Sequence, residues 1–269
     1  MNRLRICIAA VAVGAMLVAA VPARAATITF SGSTSIFPLM VGLVKEYKRE
    51  GHRGFSAAYS QGGSDIGIND VAHGRVTLGA ASRDPLPSDP HGLIFTRIAF
   101  DAVCVITNNA NPLANIDQGQ VQSIFSGQTS DWGAVPGARV QGPVQLEVRT
   151  AASGTQDAFQ NIFLGQNVTV AGSADQQGSN GLVQQSVGSN PQAIGYVSLN
   201  FSRGVHPVPY QGVPCTLRNA KSRQYGGVRN FWVVSRGSVP SGPASAFVNW
   251  IRHARGATRV VSTNWVPIH

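Results

Sequence analysis

The chain has 269 residues, of which 43% are hydrophobic and 12% are charged, with 30 glycines and 15 prolines. This length and apolar content exclude a disordered tail and favour two lobes over a single core. Lysine and arginine together number 21 against 12 acidic residues, which gives a formal net charge of +9. The positive charges are spread along the chain, so the sequence predicts no nucleic-acid-binding arm.

The first 25 residues have the pattern of a secretory signal peptide. Arg3 and Arg5 precede the apolar run 6–21, and the segment Ala23-Arg24-Ala25 has the small residues of a cleavage site. The apolar run is shorter than the roughly 20 residues that a membrane-spanning helix needs. We therefore predict export, with cleavage after Ala25.

Two cysteines remain after this predicted cleavage. Cys104 and Cys215 would lie in an oxidising compartment, where a disulfide is permitted. Cys104 also lies in an apolar strand pattern, so a buried free thiol is an equally good interpretation. The sequence leaves these two alternatives open.

Strands and helices alternate in the first part of the mature chain. Residues 27–31 alternate apolar and polar side chains as a strand does, and the apolar residues of 36–47 have helical spacing. A second strand is predicted over 55–60, followed by a short helix over 66–71. A third strand is predicted over 76–81.

The same alternation continues to the end of the chain. A long apolar strand over 100–107 is a candidate for crossing between the lobes, and a strand over 144–148 leads into a third turn and helix. The apolar strand 193–197 is a candidate for the second crossing. A strand over 231–234 and a helix over 244–252 follow. This order predicts an α/β fold with largely parallel sheets.

Small polar residues stand at the starts of three predicted helices. They are Thr34 and Ser35 in the first turn, Ser64 in the second, and Ser153, Gly154 and Thr155 in the third. A helix start has unpaired N–H groups and partial positive charge, so it can bind an anion. Serine and threonine are also ordinary helix caps, but a glycine in each turn favours close approach of a ligand. Arg149 adds a guanidinium suited to a tetrahedral oxyanion.

These motifs resemble those of the periplasmic phosphate-binding proteins that feed ABC importers. The resemblance covers nearly the whole mature chain in order, through 32–38, Gly63-Ser64, 82–86, Arg149 with 153–155, the stretch 124–127 with Trp132, and 194–197. It implies two α/β lobes, joined by two crossing strands, that close over a dehydrated phosphate in the cleft between them. We place lobe I at 26–98 and 203–269, and lobe II at 99–202.

The resemblance also implies a function and a set of ligands. The protein would be a periplasmic monomer that binds inorganic phosphate and delivers it to the membrane permease of an ABC importer. The implied phosphate ligands are Thr34, Ser35, Ser64, Ser82, Arg83, Asp84, Arg149, Ser153, Gly154 and Thr155.

The sequence offers no motif for a metal site or a catalytic nucleophile. The histidines and cysteines lack the paired spacing of a metal site, and the serine turns lack a nucleophile motif, so we predict no metal, no cofactor and no enzymatic activity. The alternatives are a binder of another oxyanion or of a phosphorylated small molecule, and a secreted phosphoester hydrolase.

Selectivity depends on the residues after the third strand. Well-studied members of the family that the chain resembles place an aspartate there, whereas this chain has Ser82-Arg83-Asp84 in a register that is ambiguous by one residue. Some relatives also carry Ser-Arg at this place. A buried carboxylate gains a charge-assisted hydrogen bond from hydrogen phosphate but meets a like charge in sulfate. Asp84 in the cleft therefore predicts phosphate selectivity, and Arg83 in the cleft predicts weaker selectivity. Asp65 and Asp157 are alternative acceptors, although both stand where they would interact with a helix dipole.

Overall fold

The computed structural model describes residues 27–269, so the predicted signal peptide lies outside the described residues. The strands of this range are β1 (Thr27–Gly32), β2 (Ser56–Gln61), β3 (Leu78–Ala81), β4 (Leu93–Thr107), β5 (Gln145–Arg149), β6 (Asp175–Gln177), β7 (Ala193–Ser198), β8 (His206–Pro207) and β9 (Val228–Arg236). Its α-helices are α1 (Phe37–Arg49), α2 (Ser64–Ala72), α3 (Gln118–Phe125), α4 (Gly154–Phe159), α5 (Asn180–Ser189), α6 (Leu217–Lys221), α7 (Pro243–His253) and α8 (Arg255–Asn264). None of the helices in this range is long and apolar enough to span a bilayer.

Two groups of parallel strands are joined by a pair of long antiparallel strands. The strand order is β2-β1-β3-β9-β4-β7-β5-β6, with β8 also paired to β4. β1 runs parallel to β2 and β3, and β5 runs parallel to β6 and β7. Between these groups β9 pairs antiparallel with both β3 and β4. The predicted α/β class is therefore confirmed, with parallel sheets on both sides of an antiparallel centre.

Each group of strands has its own hydrophobic core, which defines the two lobes. The lobe I core contains Phe30 of β1 and Phe247 of α7, and α1 turns its regularly spaced apolar side chains towards them. The lobe II core contains Phe125, Phe159 and Tyr196. Burial of one apolar face per helix is what holds each helix on its sheet.

The segment 203–228 belongs to lobe II, whereas the sequence-based boundaries assigned it to lobe I. Cys215 and Tyr225 are buried in the lobe II core. A disulfide joins Cys215 to Cys104 of β4, with a Cα–Cα distance of 5.7 Å, and the Tyr225 hydroxyl donates to the Val103 carbonyl at 2.9 Å. The disulfide, which the sequence left open, thus ties this segment to β4.

The second crossing strand is β9 and not β7. β7 lies within lobe II between β4 and β5, and all of its residues are buried. β9 contributes Phe231 and Val233 to the lobe I core, while Val228 packs against the lobe II core. An apolar strand has the same sequence pattern in the centre of a lobe as between lobes, which is why the pattern of 193–197 misled the prediction.

Candidate functional site

The three polar turns meet where the two lobes face each other. The hydroxyl of Ser35, from lobe I, lies 3.0 Å from the hydroxyl of Thr155, from lobe II. Thr34 lies beside them, since the Asn180 amide donates to the hydroxyls of both Thr34 and Ser35. All of these side chains are buried. We call the side chains of Thr34, Ser35 and Thr155 the hydroxyl cluster.

Glycines allow the second and third turns to touch. A Cβ on Gly154 would overlap the hydroxyl of Ser64, and a Cβ on Gly63 would overlap the carbonyl of Ala152. Gly63 also has a φ of 109°, which side-chain-bearing residues rarely adopt. The glycines that the sequence analysis singled out therefore permit close contact between the turns of the two lobes.

Ser64 and Ser82 lie next to the hydroxyl cluster in a second group of buried hydroxyls. The Ser82 amide donates to the Ser64 hydroxyl at 3.0 Å, and the Ser33 hydroxyl donates to the Ser82 hydroxyl at 2.8 Å. Ser153 has a different role, since its hydroxyl accepts from the amides of Thr155 and Gln156 and so caps α4. Ser153 therefore has the ordinary role of a serine at a helix start, which is to cap the helix.

Two residues that the sequence analysis missed connect the cluster. Arg229 of β9 donates from one terminal nitrogen to the Thr155 hydroxyl and from the other to the Ser35 hydroxyl, each at 2.9 Å. Asn180, at the start of α5, donates to the hydroxyls of Thr34 and Ser35, also at 2.9 Å. Its own oxygen accepts from the Ser198 amide at 2.9 Å, which fixes the orientation of the amide group.

Asp101 compensates the buried charge of Arg229. The two residues stand opposite each other in the β4–β9 register, and the guanidinium donates twice to one carboxylate oxygen, at 2.8 and 3.0 Å. Both side chains are almost fully buried. Arg229 can therefore remain charged between the lobes without adding net charge to the site.

Arg149 of β5 is a second buried arginine, and its hydrogen bonds do not include the hydroxyl cluster. Its guanidinium donates to the carbonyls of Gln177 and Gly178, each at 3.0 Å. Its backbone N–H donates to the Tyr196 hydroxyl at 2.9 Å. Among residues 27–269 it forms no ion pair with a carboxylate. Burial lowers the pKa of Arg149 to about 10, and the positive charge of Arg229 acts in the same direction. Arg149 thus stays charged at neutral pH and carries an uncompensated positive charge.

The side chains of Arg83 and Asp84 bind partners outside the hydroxyl cluster, so the expectation that one of them faces the ligand stays a prediction. The Arg83 guanidinium is buried but is bound by the carboxylates of Asp65 and Asp89. Asp84 is exposed and accepts hydrogen bonds from Asn230 at 2.6 Å and from the Trp232 indole at 3.1 Å. Asp65, one of the alternative acceptors, is likewise engaged by Arg83.

Weak sequence signals did exist for the missed residues. Asp101 interrupts the apolar run 98–106, and Arg229 directly precedes Asn230 and the apolar run 231–234. A charged residue in a buried strand needs a partner. Asn180 has a weaker sequence signal, because asparagine is a common residue at the start of a helix. The antiparallel register of β4 and β9 is what brings the charged pair together.

Comparisons with known proteins show which family the chain belongs to. A family model described as the PBP superfamily domain matches residues 17–208. The phosphate-binding protein PstS of Borreliella burgdorferi is 22% identical over 253 residues, covering 90% of each chain.

Two solved structures resemble the fold at higher sequence identity. A phosphate ABC transporter substrate-binding protein with bound phosphate, from Clostridium perfringens, is 26% identical with a TM-score of 0.85, covering 91% of this chain and 100% of that chain. An ABC-type phosphate transport receptor from Vibrio cholerae is 25% identical with a TM-score of 0.71, covering 89% of this chain and 99% of that chain. Since the family model spans most of the sequence and the two-lobed fold is shared, the chain belongs to the PBP superfamily and resembles its phosphate-binding proteins.

Proposed function

We propose that the protein is a periplasmic substrate-binding protein that captures inorganic phosphate between its lobes and delivers it to the membrane permease of an ABC importer. The observation that carries the proposal is the buried hydroxyl cluster, to which both lobes and Arg229 contribute. Donors already oriented before binding reduce the entropy lost on binding. The similar proteins named above, which are described as phosphate-binding, support this ligand.

The charges around the site favour an anion. Asp101 offsets the charge of Arg229, whereas the charge of Arg149 has no carboxylate partner among the described residues. An anion held near the cluster would compensate Arg149, and hydrogen bonds to a charged group contribute about 1.5–3 kcal/mol each. Thr34, Ser35, Ser64, Gly154, Thr155 and Arg149 remain the proposed ligands, joined by Arg229 and Asn180.

A second candidate ligand is another tetrahedral oxyanion, such as sulfate. This candidate is favoured by Asp84, the carboxylate that the sequence offered as an acceptor, because its side chain is exposed and binds Asn230 and Trp232 instead of the hydroxyl cluster. Without Asp84 at the cluster, the like-charge repulsion by which that carboxylate would reject sulfate is missing. Phosphate remains the first choice because of the similar phosphate-binding proteins.

Calorimetric titration of the purified, ligand-stripped protein with phosphate, sulfate and molybdate separates these candidates. We expect saturable binding of phosphate that a large excess of sulfate weakens only slightly. The variant Ser35→Ala should bind phosphate at least tenfold more weakly. Ser189→Ala, which removes an exposed hydroxyl on α5, is the matched control and should bind like the wild type. Sulfate that binds as tightly as phosphate would establish the second candidate instead.

A further inference from the structure

A group of charged side chains joins the lobes beside the hydroxyl cluster but is not part of it. Its centre is Arg83, which is 5% exposed and lies in lobe I. Both carboxylate oxygens of Asp89 accept from the guanidinium, at 2.6 and 3.0 Å. One oxygen of Asp65 accepts from the same guanidinium at 2.8 and 3.0 Å. Lobe I therefore already supplies two carboxylates to this single arginine.

Lobe II adds a third carboxylate, that of Asp157. Asp157 is two residues after Thr155 on α4, and its Oδ2 atom lies 3.2 Å from the Arg83 Nε atom. This oxygen is buried and has no hydrogen-bond partner. The charged and titratable groups that face Asp157 are Arg83, Asp65 and Asp89 of lobe I, and the phenol of Tyr196 in β7. Three carboxylates around one guanidinium leave an excess of negative charge.

The excess of negative charge and the burial raise the pKa of the third carboxylate, that of Asp157. Burial raises the pKa of Asp157 to about 6, and the negative charges of Asp65 and Asp89 act in the same direction against the attraction of Arg83. If the lobes moved apart, Asp157 would regain water and lose both acidic neighbours. Its pKa would then return towards the ordinary value of 3.8.

We propose that Asp157 is a positioning residue that couples the approach of the two lobes to the uptake of a proton. This inference rests on the proposed function, because it assumes that ligand binding brings the lobes together. The closed form binds more protons than the open form between the two pKa values, so closure is favoured at low pH and penalised as the pH rises through 6. The contribution of Asp157 to phosphate affinity should therefore fall about tenfold between pH 5 and pH 8.

The test compares the wild type with Asp157→Asn, whose amide has no charge at any of these pH values. Phosphate affinity is measured by calorimetry at pH 5, 6, 7 and 8. The protonation of phosphate itself affects both proteins equally, so it cancels in the ratio of wild-type to variant dissociation constants. We expect this ratio to rise about tenfold from pH 5 to pH 8. Titration in buffers of different ionisation enthalpy should show about half a proton more taken up by the wild type at pH 6.

Asp70→Asn is the matched control. Asp70 pairs with Arg75 at 2.7 Å within lobe I, so this variant also removes a carboxylate from an ion pair but does not change the contact between lobes. The ratio of the wild-type to the Asp70→Asn dissociation constant for phosphate should not change with pH. Asp65→Asn is a second variant that keeps Asp157 and removes a neighbouring charge, so it should move the pH dependence to lower pH.

The outcomes are distinguishable. A wild-type to Asp157→Asn ratio that stays constant from pH 5 to pH 8, with equal proton uptake, overturns the inference and leaves phosphate binding intact. If Asp157→Asn does not fold, an unchanged pH dependence in Asp65→Asn overturns it equally. A wild type that binds no phosphate at any pH refutes the proposed function, and the inference with it.

Discussion

Thr155→Val tests the hydroxyl cluster with little change of shape. Valine keeps the branched side chain of Thr155, which is 1% exposed, but removes the hydroxyl that lies 3.0 Å from Ser35 and accepts from Arg229 at 2.9 Å. Losing one buried hydrogen bond to a charged ligand costs about 1.5–3 kcal/mol. Phosphate should therefore bind about 10- to 150-fold more weakly.

Calorimetric titration at a fixed pH gives the affinity, and thermal unfolding without ligand shows that the variant is folded. Thr263→Val is the matched control, because the Thr263 hydroxyl is exposed on α8 and donates to the Arg259 carbonyl. This control should bind phosphate like the wild type. If Thr155→Val and Thr263→Val bind phosphate equally well, the hydroxyl cluster is not the ligand site and the reasoning from its geometry is wrong.

Three further perturbations are expected to act on binding or stability. Arg149→Ala should weaken phosphate binding by about 1.5–3 kcal/mol in the same titration, because it removes the uncompensated charge, and unchanged affinity would remove Arg149 from the site. Arg229→Met should lower the free energy of unfolding, measured by denaturant titration, by about 3–5 kcal/mol, because it leaves Asp101 buried without a partner. Adding Asp101→Asn should restore part of this loss. Reducing the disulfide between Cys104 and Cys215, which are 111 residues apart, should lower the free energy of unfolding by about 2–5 kcal/mol and lower the melting temperature. An unchanged melting temperature would show that this disulfide adds nothing to stability.

Much of the local structure could be predicted because it depends on neighbouring residues. The apolar spacing of 36–47 predicted α1, and the alternation of 27–31 predicted β1, because each pattern has the period of its element. The strand predicted over 100–107 begins at Leu93, because Thr96 and Arg97 interrupt the apolar pattern of its first half. The helix α8 was not predicted, because its residues include few large apolar side chains.

The candidate site was predicted where short segments carry their own signal. Thr34, Ser64 and Thr155 stand beside glycines at helix starts, and this local pattern was sufficient to propose them as ligands. Arg83 and Asp84 could not be placed in the same way. The direction of the Arg83 side chain depends on Asp65 in the preceding helix, and that of Asp84 depends on Trp232, which is 148 residues away.

The sequence by itself determined the alternation of strands and helices and the three polar turns, because both follow from the spacing of a few adjacent side chains. Only the tertiary structure decided that β9 is the second crossing strand, that Cys104 bonds to Cys215, and that Asp101 faces Arg229. These features depend on strand register and on contacts between residues more than 100 positions apart. The physical reason is that burial and charge pairing are properties of neighbours in space, which a pattern of neighbours along the chain does not specify.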